Sequence, residues 1–352
     1  MKRSRKQPPA PPSVDLLALA EVVERFSTKT VVVLGDFVAD AFQIGDITRV
    51  SREAPVLILK HRETQIVPGG GANAANNFAS LGAKVIPITA VGEDEPGDRL
   101  REFFRAQKVD ISGILPVKGW TTPTKTRFLA GWAHKVAQQV LRVDYEPHHP
   151  LPAAIHKKIY AMLAKSLKKA DALAISDYGF GVAVPEAIGK ILSAGRRKTI
   201  ATLDSRYQLT RYNRSGLHSA TPNEGEMEAL HHTTIGKNLA ELERCGRATL
   251  ADMKLQSLVI TRGRDGMALF QPNQETVQIP VHGSDQAVDV TGAGDTVLAA
   301  YTLGLASGAS PLEAAHLANI AGGLVVMKRG TATVTRAELL EAIGASASEP
   351  NS

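Results

Sequence analysis

Short β-branched runs separated by amphipathic stretches constrain this chain more than any single residue does. Thr30 to Leu34, Lys84 to Val91, Ala172 to Ile175, Thr199 to Leu203 and Ser257 to Ile260 are continuous apolar runs, the pattern of strands buried on both faces. Val14 to Phe26, Asp98 to Gln107, Leu151 to Leu167, Pro185 to Ala194 and Leu239 to Met253 repeat apolar residues at helical spacing, as do Pro311 to Met327 and Thr335 to Ile343. Strands alternating with helices predict an α/β fold, a doubly wound and mainly parallel sheet with helices on both faces. Two stretches, 42–68 and 114–147, break the alternation. Their β-formers, charges and turn residues predict a small β lid, because structureless loops of that length are uncommon in compact domains.

The expected boundaries are a tail over 1–13, one folded body over 14–345 and a frayed end over 346–352. The tail is basic and proline-rich where a signal peptide would need an apolar core. It carries four of the 41 basic residues (Lys2, Arg3, Arg5, Lys6) and no acid, so the formal net charge of +6 falls to +2 without it. That leaves no nucleic-acid footprint on the body. No apolar run reaches the ~18 residues of a membrane span. The single cysteine, Cys245, has no partner for an internal disulfide, which predicts a cytoplasmic protein.

Ligands of open α/β sheets bind beyond the carboxyl ends of the strands, and here those positions are polar. Asp36 and Asp40 follow the first run, Ser176-Asp177-Tyr178 the third, Asp204-Ser205-Arg206 the fourth and Thr261-Arg262-Gly263 the fifth, while Thr221-Pro222-Asn223-Glu224-Gly225-Glu226 precedes a helix. Each alone is an ordinary turn former or cap. They converge, however, with Asp289-Val290-Thr291-Gly292-Ala293-Gly294-Asp295, a glycine turn leading into an apolar helix. The unpaired amides of Ala293, Gly294 and Asp295 would form an anion hole, and Asp295 could take a proton from an attacking hydroxyl. No G-x-x-x-x-G-K-[ST] loop is present, and the 292–297 run lacks the third glycine of a dinucleotide fingerprint. The cluster Pro68-Gly69-Gly70-Gly71-Ala72-Asn73 has no lysine for a phosphate chain and suits close approach of a neutral polyol.

These residues resemble the ribokinase-like (PfkB-type) carbohydrate kinases from about Thr30 to Leu340. The segments 68–73, 80–83, Arg127 with Gln138-Gln139 and Arg142-Val143-Asp144, and 176–178 look most like the heptose 7-phosphate kinases of ADP-heptose synthesis. The resemblance implies that Asp295 is the base and that Gly292, Ala293 and Gly294 form the anion hole. Asn223 and Glu226 would organise the ATP phosphates and the water shell of Mg²⁺, and Thr261, Gly263, Gly266 and Asn319 would line the nucleotide site. Asp40, Gly70 and Asn73 would hold acceptor hydroxyls, and Asp289 with Thr291 falls where many relatives bind a monovalent cation such as K⁺. Three positions depart from the heptose-kinase pattern: Phe180 for Lys, Arg52 for Pro and Asp204-Ser205-Arg206 for Asp-Pro-Lys. Such kinases often carry a fused nucleotidyltransferase domain; the expectation for these 352 residues is the kinase domain without it.

The expectation is therefore an ATP-dependent sugar kinase acting on a heptose 7-phosphate, with Arg52, Arg127, Arg142 and Arg206 around the acceptor phosphate. The open edges of the lid strands predict a homodimer. A kinase for another sugar phosphate or a nucleoside is the alternative within the class. A non-catalytic binding protein on the same fold is the alternative outside it.

Overall fold

The computed structural model describes residues 14–132, 137–195, 199–213, 215–284 and 286–348; the expected tail and the last four residues lie outside these. Its main sheet contains β1 (Thr30–Gly35), β4 (Lys84–Gly92), β5 (Ile114–Val117), β8 (Ala172–Asp177), β9 (Ile200–Ser205), β10 (Ser219–Ala220), β11 (Ser257–Thr261), β12 (Met267–Phe270) and β13 (Val277–Ile279). Among the described residues the order is β13-β12-β11-β10-β9-β8-β1-β4-β5, parallel except for β12 and β13. A separate lid sheet has the order β3-β2-β6-β7, from β2 (Phe37–Val50), β3 (Leu57–Gly70), β6 (Thr124–Gly131) and β7 (Gln138–Tyr145).

The continuous apolar runs are buried on both faces, as their patterning requires. In β1, Val31 and Val33 join one core cluster while Val32 and Leu34 join the other. The first cluster is covered by α1 (Leu16–Glu24), α2 (Gly71–Ser80), α3 (Glu95–Ala106), α8 (Ala293–Ala306), α9 (Pro311–Val325) and α10 (Arg336–Ser348). The second is covered by α4 (Ala153–Ser166), α5 (Pro185–Ala194), α6 (Glu224–His231) and α7 (Leu239–Asp252). Local chemistry starts these helices. Asp94 caps α3 by accepting the Gly97 amide at 3.0 Å, and Ser310 with Glu313 makes a reciprocal capping box ahead of Pro311 in α9.

The lid is a continuation of the core rather than an appendage to it. In β2, Phe37 to Ala41 are buried and the chain then runs outward, with register shifts at Ile44/Gly45 and Ile47/Arg49. β2 is antiparallel to β3 but parallel to β6, which is antiparallel to β7. Two expected boundaries change. Residues 114–117 pair with β4 at the main-sheet edge, so the second lid segment begins at Thr124, and α10 stays helical to Ser348 where fraying was expected from 346. The lid exposes apolar side chains: Val50, Val56 and Leu57 at the tip of the β2–β3 hairpin, and Val140, Leu141 and Tyr145 along β7.

Candidate active site

Gly292 starts α8 at φ +80°, and a Cβ there would lie 2.5 Å from Asn73 Nδ2, so both the turn and the packing require glycine. The Ala293 amide closes a turn on Val290 O at 3.3 Å. Of the three amides expected to face an anion, those of Gly294 and Asp295 therefore stay free of backbone acceptors in the first helical turn.

Asp295 is 3% exposed. Its Oδ2 accepts a 2.8 Å hydrogen bond from Asn73 Nδ2, while its Oδ1 is buried with no hydrogen-bonded partner. Burial pushes its pKa up to about 7, helped by the nearby Asp40 charge and opposed by the Asn73 bond, the Lys125 ammonium and the neighbouring Tyr178 hydroxyl. Asn73 is fixed in turn. Asn77 Nδ2 donates to Asn73 O at 2.9 Å and Oδ1 at 3.3 Å, and Thr296 Oγ1 donates to Asn77 Oδ1 at 2.7 Å. A closed polar chain thus runs between α2 and α8 inside the apolar core.

Asp40, buried at the root of β2, pairs with Arg127 Nη1 at 2.5 Å, and the guanidinium lies 5.4 Å from the Phe42 ring centroid. A Cβ on Gly69 would strike the Asp40 carboxylate, so the glycine cluster admits that side chain. At Gly70 the φ of +53° and the contact with Val38 exclude a side chain as well.

Three adjoining cavities run along the strand ends. An outer one of about 630 Å³ is lined by Lys125, Arg142, His148, Tyr178, Phe180 and Arg206, among others. The middle one, of about 660 Å³, shares Tyr178, Arg206 and Tyr207 with it and adds Asp204, Asn223, Glu226, Gly294 and Asp295. A narrower slot of about 160 Å³ shares Thr261, Val290 and Gly294 with the middle cavity and is mainly apolar, with Met267, Val281, Val297 and Val326 in its wall.

Charge is zoned along this trough. In the middle cavity burial raises the Asp204 carboxyl well above the usual range, with Glu226, Asp295 and Asp177 adding repulsion, and burial also raises Glu226. In the outer cavity burial holds the Lys125 ammonium below the ordinary lysine range; Asp40 opposes this, and Arg206, Arg127 and Arg142 reinforce it. Lys125 lies 5.1 Å from the Tyr178 ring centroid, and Arg142 grips Asp144 at 2.8 and 3.0 Å. The outer cavity's three cations, Lys125, Arg142 and Arg206, stand against Asp144 and Glu146 in the same wall and leave a small positive excess, whereas the crowded carboxylates of the next favour a cation or a proton.

The expected site residues thus divide. Asn223, Glu226, Gly292, Gly294 and Asp295 meet in the middle cavity, and Thr261, Gly263, Gly266 and Asn319 in the slot. Asn223 and Glu226 also form the capping box of α6, with both bonds at 2.9 Å. Asn319 donates to Pro280 O at 2.7 Å, and a Cβ on Gly266 would strike Ile279 O. Arg142 and Arg206 reach the outer cavity, whereas Arg127 is held by Asp40 beneath it and Arg52 is exposed in the turn between β2 and β3. Asp40, Gly70 and Asn73 line none of the three cavities. Asp289 accepts the Thr291 and Gly330 amides, each at 2.9 Å, so it fastens the 289–295 turn to the segment after α9. Lys125, Tyr178 and Asp204 were missed as site residues, although the polar strand ends pointed at two of them.

Residues 28–338 match the model of the pfkB family carbohydrate kinases. The bifunctional protein HldE of Trichlorobacter lovleyi is 36% identical over 330 residues, 94% of this chain and 66% of that protein. The bifunctional protein HldE of Geobacter metallireducens is 38% identical over 314 residues, 89% of this chain and 62% of that protein. The chain thus spans just under two thirds of the length of these relatives. Among solved structures, Arabidopsis thaliana ribokinase complexed with ribose and ATP aligns with a TM-score of 0.69 at 18% identity, over 90% of this chain and 98% of that one. Escherichia coli phosphofructokinase-2 in complex with potassium aligns at 0.68 and 17%, with the same coverage. Both likenesses show the shared fold.

Asp295 sets a pH dependence of stability that can be measured directly. Its pKa is raised from 3.8 to about 7, so between those values the folded state holds a proton that the unfolded state has released. Stability therefore falls as pH rises from about 4 to 7 and levels off above, a penalty of about 4 kcal/mol at pH 8. Asp295→Asn should remove it. Thermal melts should show the variant more stable than the wild type at pH 8, with the gap closing towards pH 4; equal melting temperatures across that range would contradict the assigned burial cost.

Proposed function

The chain belongs to the pfkB family of carbohydrate kinases, which transfer phosphate to a hydroxyl acceptor, and on that footing we propose that it phosphorylates the anomeric hydroxyl of a heptose 7-phosphate from ATP. The observation that carries this reading is the order of the trough. An apolar slot suited to a purine, a middle cavity ending on Asp295 and a cationic outer cavity follow one another with shared walls. The similarity to proteins named bifunctional protein HldE, with the heptose-kinase pattern at 68–73 and 142–144, supports the heptose phosphate.

In this mechanism Asp295 Oδ1, buried and unpartnered, takes the proton of the acceptor hydroxyl. A pKa of about 7 suits a general base working near neutrality, and the Asn73 bond to Oδ2 leaves Oδ1 as the free atom. The Gly294 and Asp295 amides receive the charge of the transferred group. Thr261, Gly263, Gly266 and Asn319 hold the nucleotide in the slot. Mg²⁺ supplies charge neutralisation at the phosphates when bound, and Glu226 with Asp204 would hold its water shell. The acidic middle cavity fits that role. Among the described residues no group of His, Cys, Asp and Glu could hold a metal alone, so the ion would enter on the nucleotide. Asp289 and Thr291 stand where a monovalent cation such as K⁺ would steady the turn. Closure of β2 and β6 over the acceptor excludes water.

Lys125, Arg142 and Arg206 face the acceptor phosphate in the outer cavity. Arg127 instead neutralises Asp40, leaving that carboxylate to orient acceptor hydroxyls with Gly70 and Asn73. The exposed apolar residues of the lid hairpin and β7 supply the surface for a homodimer. Among the described residues no helix is long and apolar enough to cross a membrane, and we place the reaction in the cytoplasm, consistent with ATP as donor and a lone cysteine.

Three measurements test this reading. Asp295→Asn should keep ATP affinity and lose about 10²–10⁴-fold in kcat; near-normal turnover would remove Asp295 as the base. Charge-assisted contacts of about 1.5–3 kcal/mol each predict at least a tenfold preference in kcat/KM for the phosphate ester over the unphosphorylated sugar, reduced in Lys125→Ala, Arg142→Ala and Arg206→Ala. Equal use of both sugars would leave a kinase for a neutral acceptor. Light scattering at micromolar concentration should give the mass of two chains, and Leu141→Asp should shift it to one.

A further inference from the structure

Asp36 lies at the end of β1, 1% exposed, and lines none of the three cavities. Its Oδ2 accepts the amides of Tyr178 at 2.9 Å and Phe180 at 3.0 Å, and its Oδ1 accepts the amide of Val182 at 3.0 Å. Three alternate amides of one loop thus turn inward onto one carboxylate. The intervening Gly179 and Gly181, at φ +84° and +95°, allow that curl. The loop is gripped from the opposite side by α4. His156 Nε2 lies 2.8 Å from Gly181 O, and the Tyr160 hydroxyl donates to Val182 O at 2.8 Å while accepting from the Val184 amide at 2.7 Å. Tyr178, Gly179, Phe180 and Gly181 are the wall of the outer cavity.

We propose that Asp36 is a positioning residue for the acceptor: through three backbone bonds it holds the 178–182 loop in the shape that presents Tyr178 and Phe180 to the bound sugar. The acceptor half of this inference rests on the kinase reading above; the clamp itself does not. A carboxylate can accept all three amides, whereas a protonated or amide side chain turns a donor towards at least one of them. The titratable groups that face Asp36 are Asp177 on β8, Tyr212 after β9 and Tyr160 on α4, while His156 on α4 meets the loop at Gly181 O. Burial pushes the Asp36 pKa up to about 6, Asp177 repulsion adds to this, and the three amides pull it down. The wall should therefore loosen as pH falls through 6.

The test compares Asp36→Asn with the wild type by hydrogen exchange on the protein alone and by kinetics with heptose 7-phosphate. The amides of 178, 180 and 182 should exchange about tenfold faster in the variant while the rest of the sheet keeps its protection. The acceptor KM should rise about tenfold, with kcat and the ATP KM changed less than about twofold. The wild-type acceptor KM should climb below pH 6 more steeply than that of the variant; taking the difference between the two proteins removes the ester's own titration. Should Asp36→Asn fail to fold, Tyr160→Phe loosens the same loop from the other side, should raise exchange and acceptor KM likewise, and should keep the wild-type pH response. Unchanged exchange overturns the clamp. Faster exchange with an unchanged acceptor KM overturns the positioning role and leaves the kinase reading intact. Faster exchange in a protein that turns over no sugar phosphate supports the clamp and overturns the kinase reading instead.

Discussion

The site depends on a buried polar chain, Thr296 to Asn77 to Asn73 to Asp295, closed between two helices that come from distant parts of the sequence. Each member uses its donors on the next, so the chain carries three polar side chains and a carboxylate through an apolar core without orphaning their amides. Only one atom is left over, Oδ1 of Asp295. Packing accounts for the direction of that atom: Asn73 takes the other oxygen, and the missing side chain of Gly292 makes room for Asn73. Which oxygen of Asp295 stays free is thus defined by what its neighbours have already used.

A second constraint is electrostatic. Buried carboxylates dominate the middle of the trough and cations the outer end, and the boundary between them falls at Tyr178 and Arg206, which belong to both cavities. Asp40 places a negative charge near Asp295 that helps raise its pKa, and Arg127 pairs with that Asp40 carboxylate. A ligand spanning both cavities would thus meet opposite charge along its length.

Much of this was legible before any coordinates. Continuous apolar runs imply a sheet covered on both sides, and a glycine turn before an apolar helix implies free amides, because both follow from backbone chemistry within a few residues. The β12–β13 edge was not read, since strands of three and four residues carry too little periodicity. Ile114 to Val117 was assigned to the lid because its sequence gives no sign of its partner, β4. The side-chain partners of Asn73 and Arg127 were not read for a similar reason: Asn73 bonds Asp295, 222 positions away, and Arg127 pairs with Asp40, 87 positions away, and nothing local announces either. Asp204 was marked only as a strand-end residue, and Lys125 became visible only when cations were brought together beside it.

The pairing of β2 with β6 has a consequence for how the chain acquires its structure. It is parallel, so no hairpin can form it, and it joins 39–46 to 124–131 with β3, α2, β4, α3 and β5 in between. Loop-closure entropy for so distant a pairing must be met before its contacts give anything back. The β2–β3 hairpin is local and needs no such closure, whereas β1 with β8 in the main sheet spans a longer loop still. The lid is therefore two local hairpins joined by one long-range parallel seam, and opening of that seam would part the lid while leaving each hairpin's own ladder intact.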